Sequence, residues 1–286
     1  MLSSIVAQTR NPDQVIVVDG SDPPVRNVID EFEPLGVEYV PVFPPSLAQQ
    51  RNAGMRRLAP SITLAGYLDD DIVLEPDAIA NMMAFWESAP ASVGGVAFNI
   101  TNNPNPGALR LKEFFGIDAA KPGRVLPSGF PSTIPAQAAC IETDWLYGGA
   151  TVWRREVIDT FAYDEWYIGT GFMEDVDYSF NVRGRYTLAL AADARLAHYS
   201  RPIRSDRQYL LGWWQVVNRM HFVRKHGNRG MSVRSAWWAS IGLVVLNAAA
   251  AFSKGDVGRW NRARGNFAGI VSVLFGRESQ IGGYLK

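Results

Sequence analysis

Apolar residues come in short runs along the first two thirds of this chain, and several runs stop at acidic clusters. Val15-Ile16-Val17-Val18 is β-branched and ends at Asp19-Gly20-Ser21-Asp22, the pattern of a buried strand entering a polar turn. Residues 36–42 read as a second strand, with a helix and its turn over 24–35 between the two. Residues 46–58 have a serine start, helix-forming residues and a basic end, so they read as another helix. A third strand, 62–68, terminates at Asp69-Asp70-Asp71, and a last one, 187–192, leads to His198. Strands alternating with helices predict an α/β fold with a largely parallel, doubly wound sheet, whose ligand sites lie at the carboxyl ends of strands. Residues 101–139 are rich in Pro, Gly, Asn and Ser and read as a long loop or insertion over a site.

From about residue 206 the pattern turns helical and basic. Leu210, Trp213, Trp214, Val217 and Met220 recur at helical spacing beside Arg207, Arg219 and Arg224, which suits either packing on the rest of the protein or an interfacial membrane helix. Residues 236–252 are uncharged, at the short limit of a membrane span and interrupted by Asn247, so lying in the interface is favoured over crossing it. Two regions are expected, 1–205 and 206–286. The net charge of zero conceals their difference: residues 1–200 hold 14 Lys and Arg against 25 Asp and Glu, residues 201–286 hold 14 against 3. An acidic body suits metal and hydroxyl chemistry, and a basic, Trp-rich tail suits an anionic lipid surface. Nucleic acid is not an expected partner. The single cysteine, Cys140, excludes an internal disulfide and a multi-cysteine zinc site, and the opening residues lack the basic start and apolar stretch of a secretory signal. A cytoplasmic protein, peripheral on the inner face of the cell membrane, is expected.

The chemistry-bearing residues are acidic. Asp69, Asp70 and Asp71 repel one another unless solvent or a cation screens them, and Mg²⁺ or Mn²⁺ is the hard cation such oxygens hold; a solvated acidic turn is the plain alternative. Asp19 could equally be a turn residue. Arg51 could face a diphosphate and Asn52 could bond a base or backbone, or both could be solvated. Glu174, Asp175 and Asp177 follow two glycines, which let backbone approach a ligand; they suit a general base, or the acidic start of a helix. His198, the one histidine of the acidic body, could complete a metal shell.

In order, the segments Val15 to Ser21, Gln50-Arg51-Asn52-Ala53-Gly54, Tyr67-Leu68-Asp69-Asp70-Asp71, Trp145-Leu146-Tyr147-Gly148-Gly149-Ala150 with Arg154-Arg155-Glu156-Val157, Asp164-Glu165, Glu174-Asp175-Val176-Asp177 and His198 resemble the family 2 glycosyltransferases of the GT-A fold. The resemblance covers roughly residues 1–200. It implies a mixed, mainly parallel GT-A-like sheet with a C-terminal helical extension, and that the family's first strand is missing from this sequence. It implies donor contacts from Asp19, Arg51, Asn52, Asp69 and Asp70, a divalent metal (Mn or Mg) at Asp71 and His198, catalysis by Asp175 with Glu174, and acceptor contacts from Trp145, Gly148 and Gly149. The implied activity is inverting transfer of a sugar from a nucleotide-sugar donor to a hydroxyl of a saccharide or lipid-linked saccharide, in cell-surface polysaccharide or glycolipid synthesis. A nucleotidyltransferase of related architecture and a non-catalytic nucleotide-sugar-binding remnant are the alternatives.

Overall fold

The computed structural model describes residues 1–103, 110–169, 171–200 and 202–278. In chain order the elements are α1 (Leu2–Val6), β1 (Ile16–Asp19), α2 (Arg26–Ile29), β2 (Glu38–Pro41), α3 (Leu47–Met55), β3 (Leu64–Leu68), β4 (Ile72–Leu74), α4 (Ala78–Ser88), β5 (Val93–Ile100), α5 (Arg110–Phe114), β6 (Ile141–Thr143), β7 (Ala150–Arg154), α6 (Arg155–Thr160), α7 (Glu174–Val182), β8 (Thr187–His198), α8 (Gln208–Lys225), α9 (Val233–Lys254) and α10 (Val257–Leu274). The chain divides into two compact units. One comprises residues 1–105 and 134–200, the other 106–133 and 201–286. The division therefore differs from a single cut near 205.

The first unit is α/β. β1 and β2 pair in parallel; β3, β7, β5, β8 and β4 lie side by side in that order, with β6 also on β8. β5 and β8 are parallel, and β7 runs against both β3 and β5, so β3, β5 and β8 share one direction. The sheet is thus mixed. Every residue of β5 is buried, which is why its sequence lacks the alternation of a half-exposed strand. Val96, Phe98, Ile72, Leu74, Leu196, Met82 and Trp86 build the core, joined by Ile5 of α1 and Val15.

One irregularity matters for the site. The β5–β8 register shifts between Phe98 and Asn99, whose partners are Ala191 and Arg195. Asn99, buried at the shift, donates through Nδ2 to the carbonyls of Ala192 and Gln137, each at 2.8 Å, and so satisfies backbone left unpaired there. β8 then continues beyond the expected 187–192 as far as His198, which lies opposite Ile72 of β4.

The expected helix over 24–35 is only the single turn α2 followed by a 3₁₀ segment, Asp30–Leu35, because Pro34 cannot donate a helical hydrogen bond. The strand at 62–68 begins at Leu64 and the helix at 46–58 spans Leu47–Met55, small shifts at frayed ends.

The second unit is helical. α8 crosses α10 closely enough that a Cβ on Gly265 would lie 1.9 Å from the Tyr209 carbonyl oxygen, and one on Gly212 2.2 Å from that of Arg262. Trp213, Trp214, Val217 and Met220 of α8 are buried, so the aromatic stripe of that helix packs within the protein. Residues 110–133 are held to these helices. The Trp238 indole donates to the Phe114 carbonyl, Phe115 packs against Gly242, and Arg219 donates to the Gly129 carbonyl at 2.7 Å with its guanidinium over the Phe130 ring. Asn247, which interrupts the apolar run, is buried and donates to Asn266 of α10.

Candidate functional site

A cavity of about 170 Å³ in the first unit is lined by Arg51, Asp69, Tyr147, Gly148, Gly149, Glu174, Asp175 and His198, with Leu47, Ile72, Ile100 and Ala150 as its apolar wall. Its residues come from six places in the sequence. Asp69 directly follows β3, whose ladder with β7 is extended by the Asp69 amide donating to the Gly149 carbonyl at 3.0 Å. Asp71 precedes β4. The Tyr199 amide donates to the Asp71 carbonyl at 2.8 Å, which continues the β4–β8 pairing and sets His198 beside Asp71.

The His198 Nε2 atom lies 2.9 Å from Asp71 Oδ1. That oxygen is buried and has no aligned hydrogen bond. One ligand atom from each of Asp69, Asp71 and His198 falls within 4.8 Å of the other two. Two carboxylates and an imidazole form a donor set for Mn²⁺ and related divalent ions, and an oxygen with no aligned donor has its lone pairs available for one. The residues present fit the metal. Asp70, between the two, is exposed and belongs neither to this group nor to the cavity lining.

On the other side of the cavity α7 begins abruptly. Gly171 has φ 71°, and Met173, the residue before the helix, has φ 85°, a left-handed conformation that side chains other than glycine rarely adopt. This turn starts the helix at Glu174. Both Glu174 and Asp175 line the cavity, whereas Asp177 is buried away from it and accepts from Asn181. Asp175 accepts hydrogen bonds from the amides of Val176 (2.8 Å) and Gly148 (3.3 Å). Burial raises its pKa above the ordinary carboxylate value, although the Arg51 charge and these amides pull the other way. Glu174 is pushed up to about 8, by burial first and then by the charge of Asp175, against the opposing effect of Arg51.

Arg51 ties the two sides together. From α3 it meets Glu174 at 2.5 Å and Asp69 at 3.6 Å, and its guanidinium sits 5.2 Å from the Tyr163 ring centroid. Tyr163 in turn stacks on Tyr178. Neither tyrosine carried a sequence signal, since each is one aromatic among many. The paired glycines leave room for these charges: a Cβ on Gly148 would fall 2.4 Å from the Arg51 guanidinium, and one on Gly149 1.9 Å from the Asp69 carboxyl carbon. No side chain fits at either position without moving a charged group.

Besides Asp70, Asp177 and the adjoining Asp71, three more of the residues singled out in the sequence do not line the cavity. Asp19 is not in the cavity wall. Its carboxylate accepts from the amide and hydroxyl of Ser21, the amide of Val25 and the hydroxyl of Tyr39, at 2.5–2.9 Å. Burial raises its pKa, but these donors outweigh it and hold the group at about 2. Asn52 donates to the Tyr163 carbonyl and Glu165 and accepts from the Tyr163 amide, so it pins the 163–165 segment. Trp145 is buried, edge-on to Tyr147, and does not reach the cavity.

A sequence profile described as Glycosyl transferase family 2 matches residues 1–160. Among solved structures, GalNAc-T7 with UDP, GalNAc and Mn²⁺ superposes with a TM-score of 0.53 at 14% identity, over 85% of this chain and 51% of that one. TarS 1–349 of S. aureus in complex with UDP gives a TM-score of 0.49 at 12% identity, over 90% of this chain and 68% of that one. No curated protein sequence matches. At such identity the likeness to GalNAc-T7 is one of fold, and this chain spans about half of that protein. The family profile extends over more than half of this chain and takes in β1, α3 and the Asp69 to Asp71 turn, and on that ground the chain belongs to glycosyl transferase family 2.

Proposed function

We propose that the first unit is a metal-dependent glycosyltransferase that moves a sugar from a nucleoside-diphosphate donor to an acceptor hydroxyl with inversion. The observation that carries this reading is one cavity lined by Asp69 and His198, which with the adjoining Asp71 form a cation donor set, and by a half-buried, amide-anchored carboxylate, Asp175. A bound divalent ion would neutralise the diphosphate and act as a Lewis acid toward the leaving group. Asp175 accepts the proton of the acceptor hydroxyl as that oxygen forms its bond to the anomeric carbon. The bond from that carbon to the diphosphate oxygen breaks, and the nucleoside diphosphate departs with the electron pair. A base with a raised pKa drives such a transfer better at neutral pH than an ordinary aspartate.

Arg51 and Glu174 position the parts. The buried guanidinium holds Asp69 toward the donor set and offsets the charge at the head of α7. In GalNAc-T7 the crystal holds UDP, GalNAc and Mn²⁺, and this lends support to a nucleotide-sugar and manganese here. For the acceptor we propose a saccharide or lipid-linked saccharide in cell-surface polysaccharide or glycolipid synthesis. The test is hydrolysis and transfer with a panel of nucleotide sugars, with Mn²⁺, with Mg²⁺ and with chelator. Release of a nucleoside diphosphate from one donor, abolished by chelator, is the expected result. Pyrophosphate release, or no donor turned over under any condition, would refute it.

A further inference from the structure

The second unit carries an apolar surface that the glycosyl-transfer reading does not use. α9 is 22 residues long, with a mean hydropathy of 1.5 over its most apolar window. Trp238, Ile241, Val245, Ala249 and Phe252 are all exposed on it, and at about 100° per residue they fall within one narrow stripe. Neighbours widen the stripe. Phe114 of α5 is exposed and packs edge-on to Trp238, and Trp260 of α10 is exposed and packs on Phe252. An uninterrupted patch of this kind on one face marks a site of association.

Charge decides the occupant. Arg234 and Lys254 sit exposed at the two ends of α9, and Arg259 and Arg264 are exposed on α10 beside it. Residues 201–286 hold 14 basic side chains against 3 acidic ones, so a second copy of the chain would meet like charge around the same stripe. An anionic lipid surface meets both features, since acyl chains take the aromatic and aliphatic groups and headgroup phosphates take the arginines and lysines. The inner face of α9 excludes a span. It is joined to α10 through Asn247, which donates to Asn266 and accepts from Arg259, so α10 shares whatever depth α9 has. α10 bears the exposed Arg264 midway along its length, a costly residue at the bilayer centre.

We propose that the outer stripe of α9, with Phe114 and Trp260, lies in the plane of an anionic membrane interface and docks the protein there. This does not rest on the assignment of glycosyl transfer. The probe is sedimentation of the full chain with vesicles of phosphatidylcholine alone and of phosphatidylcholine with phosphatidylglycerol. Binding is expected only with the anionic lipid and should weaken with added salt. Ile241→Glu with Val245→Glu should abolish it while the near-ultraviolet circular dichroism stays that of the wild type, because both side chains are already solvated. Lys254→Gln and Arg234→Gln should each weaken it about fivefold. Equal binding to neutral vesicles, unaltered binding by the double variant, a lipid-free dimer that the double variant dissociates, or resistance of the bound protein to alkaline extraction would each overturn the proposal.

Discussion

Asp175 can act as a base only while ionised, and its environment delays ionisation, since burial raises its pKa more than the amides of Val176 and Gly148 lower it. The acid limb of kcat/KM should therefore lie above the ordinary aspartate range, with turnover falling as pH falls through it. Asp175→Asn should lower kcat by about 10²–10⁴-fold and leave donor affinity nearly unchanged, as read by steady-state kinetics with direct donor titration. Loss of binding in place of turnover would assign the residue to the donor. Asp71→Asn should weaken Mn²⁺ binding by about tenfold or more, measurable by calorimetry on the protein alone. Gly149→Ala tests crowding: its Cβ would displace the Asp69 carboxylate, and a displacement near 1 Å costs about 10²-fold in kcat/KM. An alanine variant with wild-type kinetics would show that Asp69 need not hold its place. At this scale the sequence exposed the carboxylates, because runs of acid at strand ends are conspicuous. It left open whether Asp19 closes a turn and whether Asn52 bonds a base or backbone, since the bonds they make depend on where the distant Tyr39 and Tyr163 come to lie.

Elements place these residues, and two of them are tunable. The turn after β1 is closed by Asp19, so Asp19→Ala should cost about 3 kcal/mol in chemical denaturation by removing charge-assisted bonds to Ser21, Val25 and Tyr39. The sign with pH follows from a folded pKa of about 2 against 3.8. The contribution is fully present above pH 3.8 and is lost as pH falls through 2, and the variant should lack this part of the acid transition. In the helical unit, Gly265→Ala drives a Cβ onto the Tyr209 carbonyl and should destabilise by about 1–3 kcal/mol, read by thermal melting. β1, β3 and α3 were legible as runs and caps. β5 was not, for its eight buried residues present an apolar run with two glycines and no period, and the glycines are explained only by the Trp153 and Tyr186 rings that occupy the space beside them.

Across the whole molecule, Glu174 links the site to stability. Its folded pKa of about 8 exceeds the ordinary 4.5, so the folded state binds this proton more tightly than the unfolded chain does. The resulting stabilisation is fully present below pH 4.5 and is lost as pH rises toward 8. Wild-type melting temperature should fall over that window relative to Glu174→Gln, and parallel profiles for the two proteins would contradict it. The charge division between the body and the basic tail was fixed by composition, as was the order of the acidic segments, because both survive without knowledge of any contact. Local preference likewise set the helical character of α8, α9 and α10. Tertiary structure alone decided the rest. It joined residues 110–133 to the C-terminal helices through Phe115, Gly129 and Trp238, buried Trp213 and Trp214 while leaving Trp238 and Trp260 outside, and let β8 shift register and run on until His198 stood beside Asp71. Each of these depends on pairs far apart in sequence, whose meeting is set by packing and by the satisfaction of buried polar groups, and no local pattern of residues encodes either.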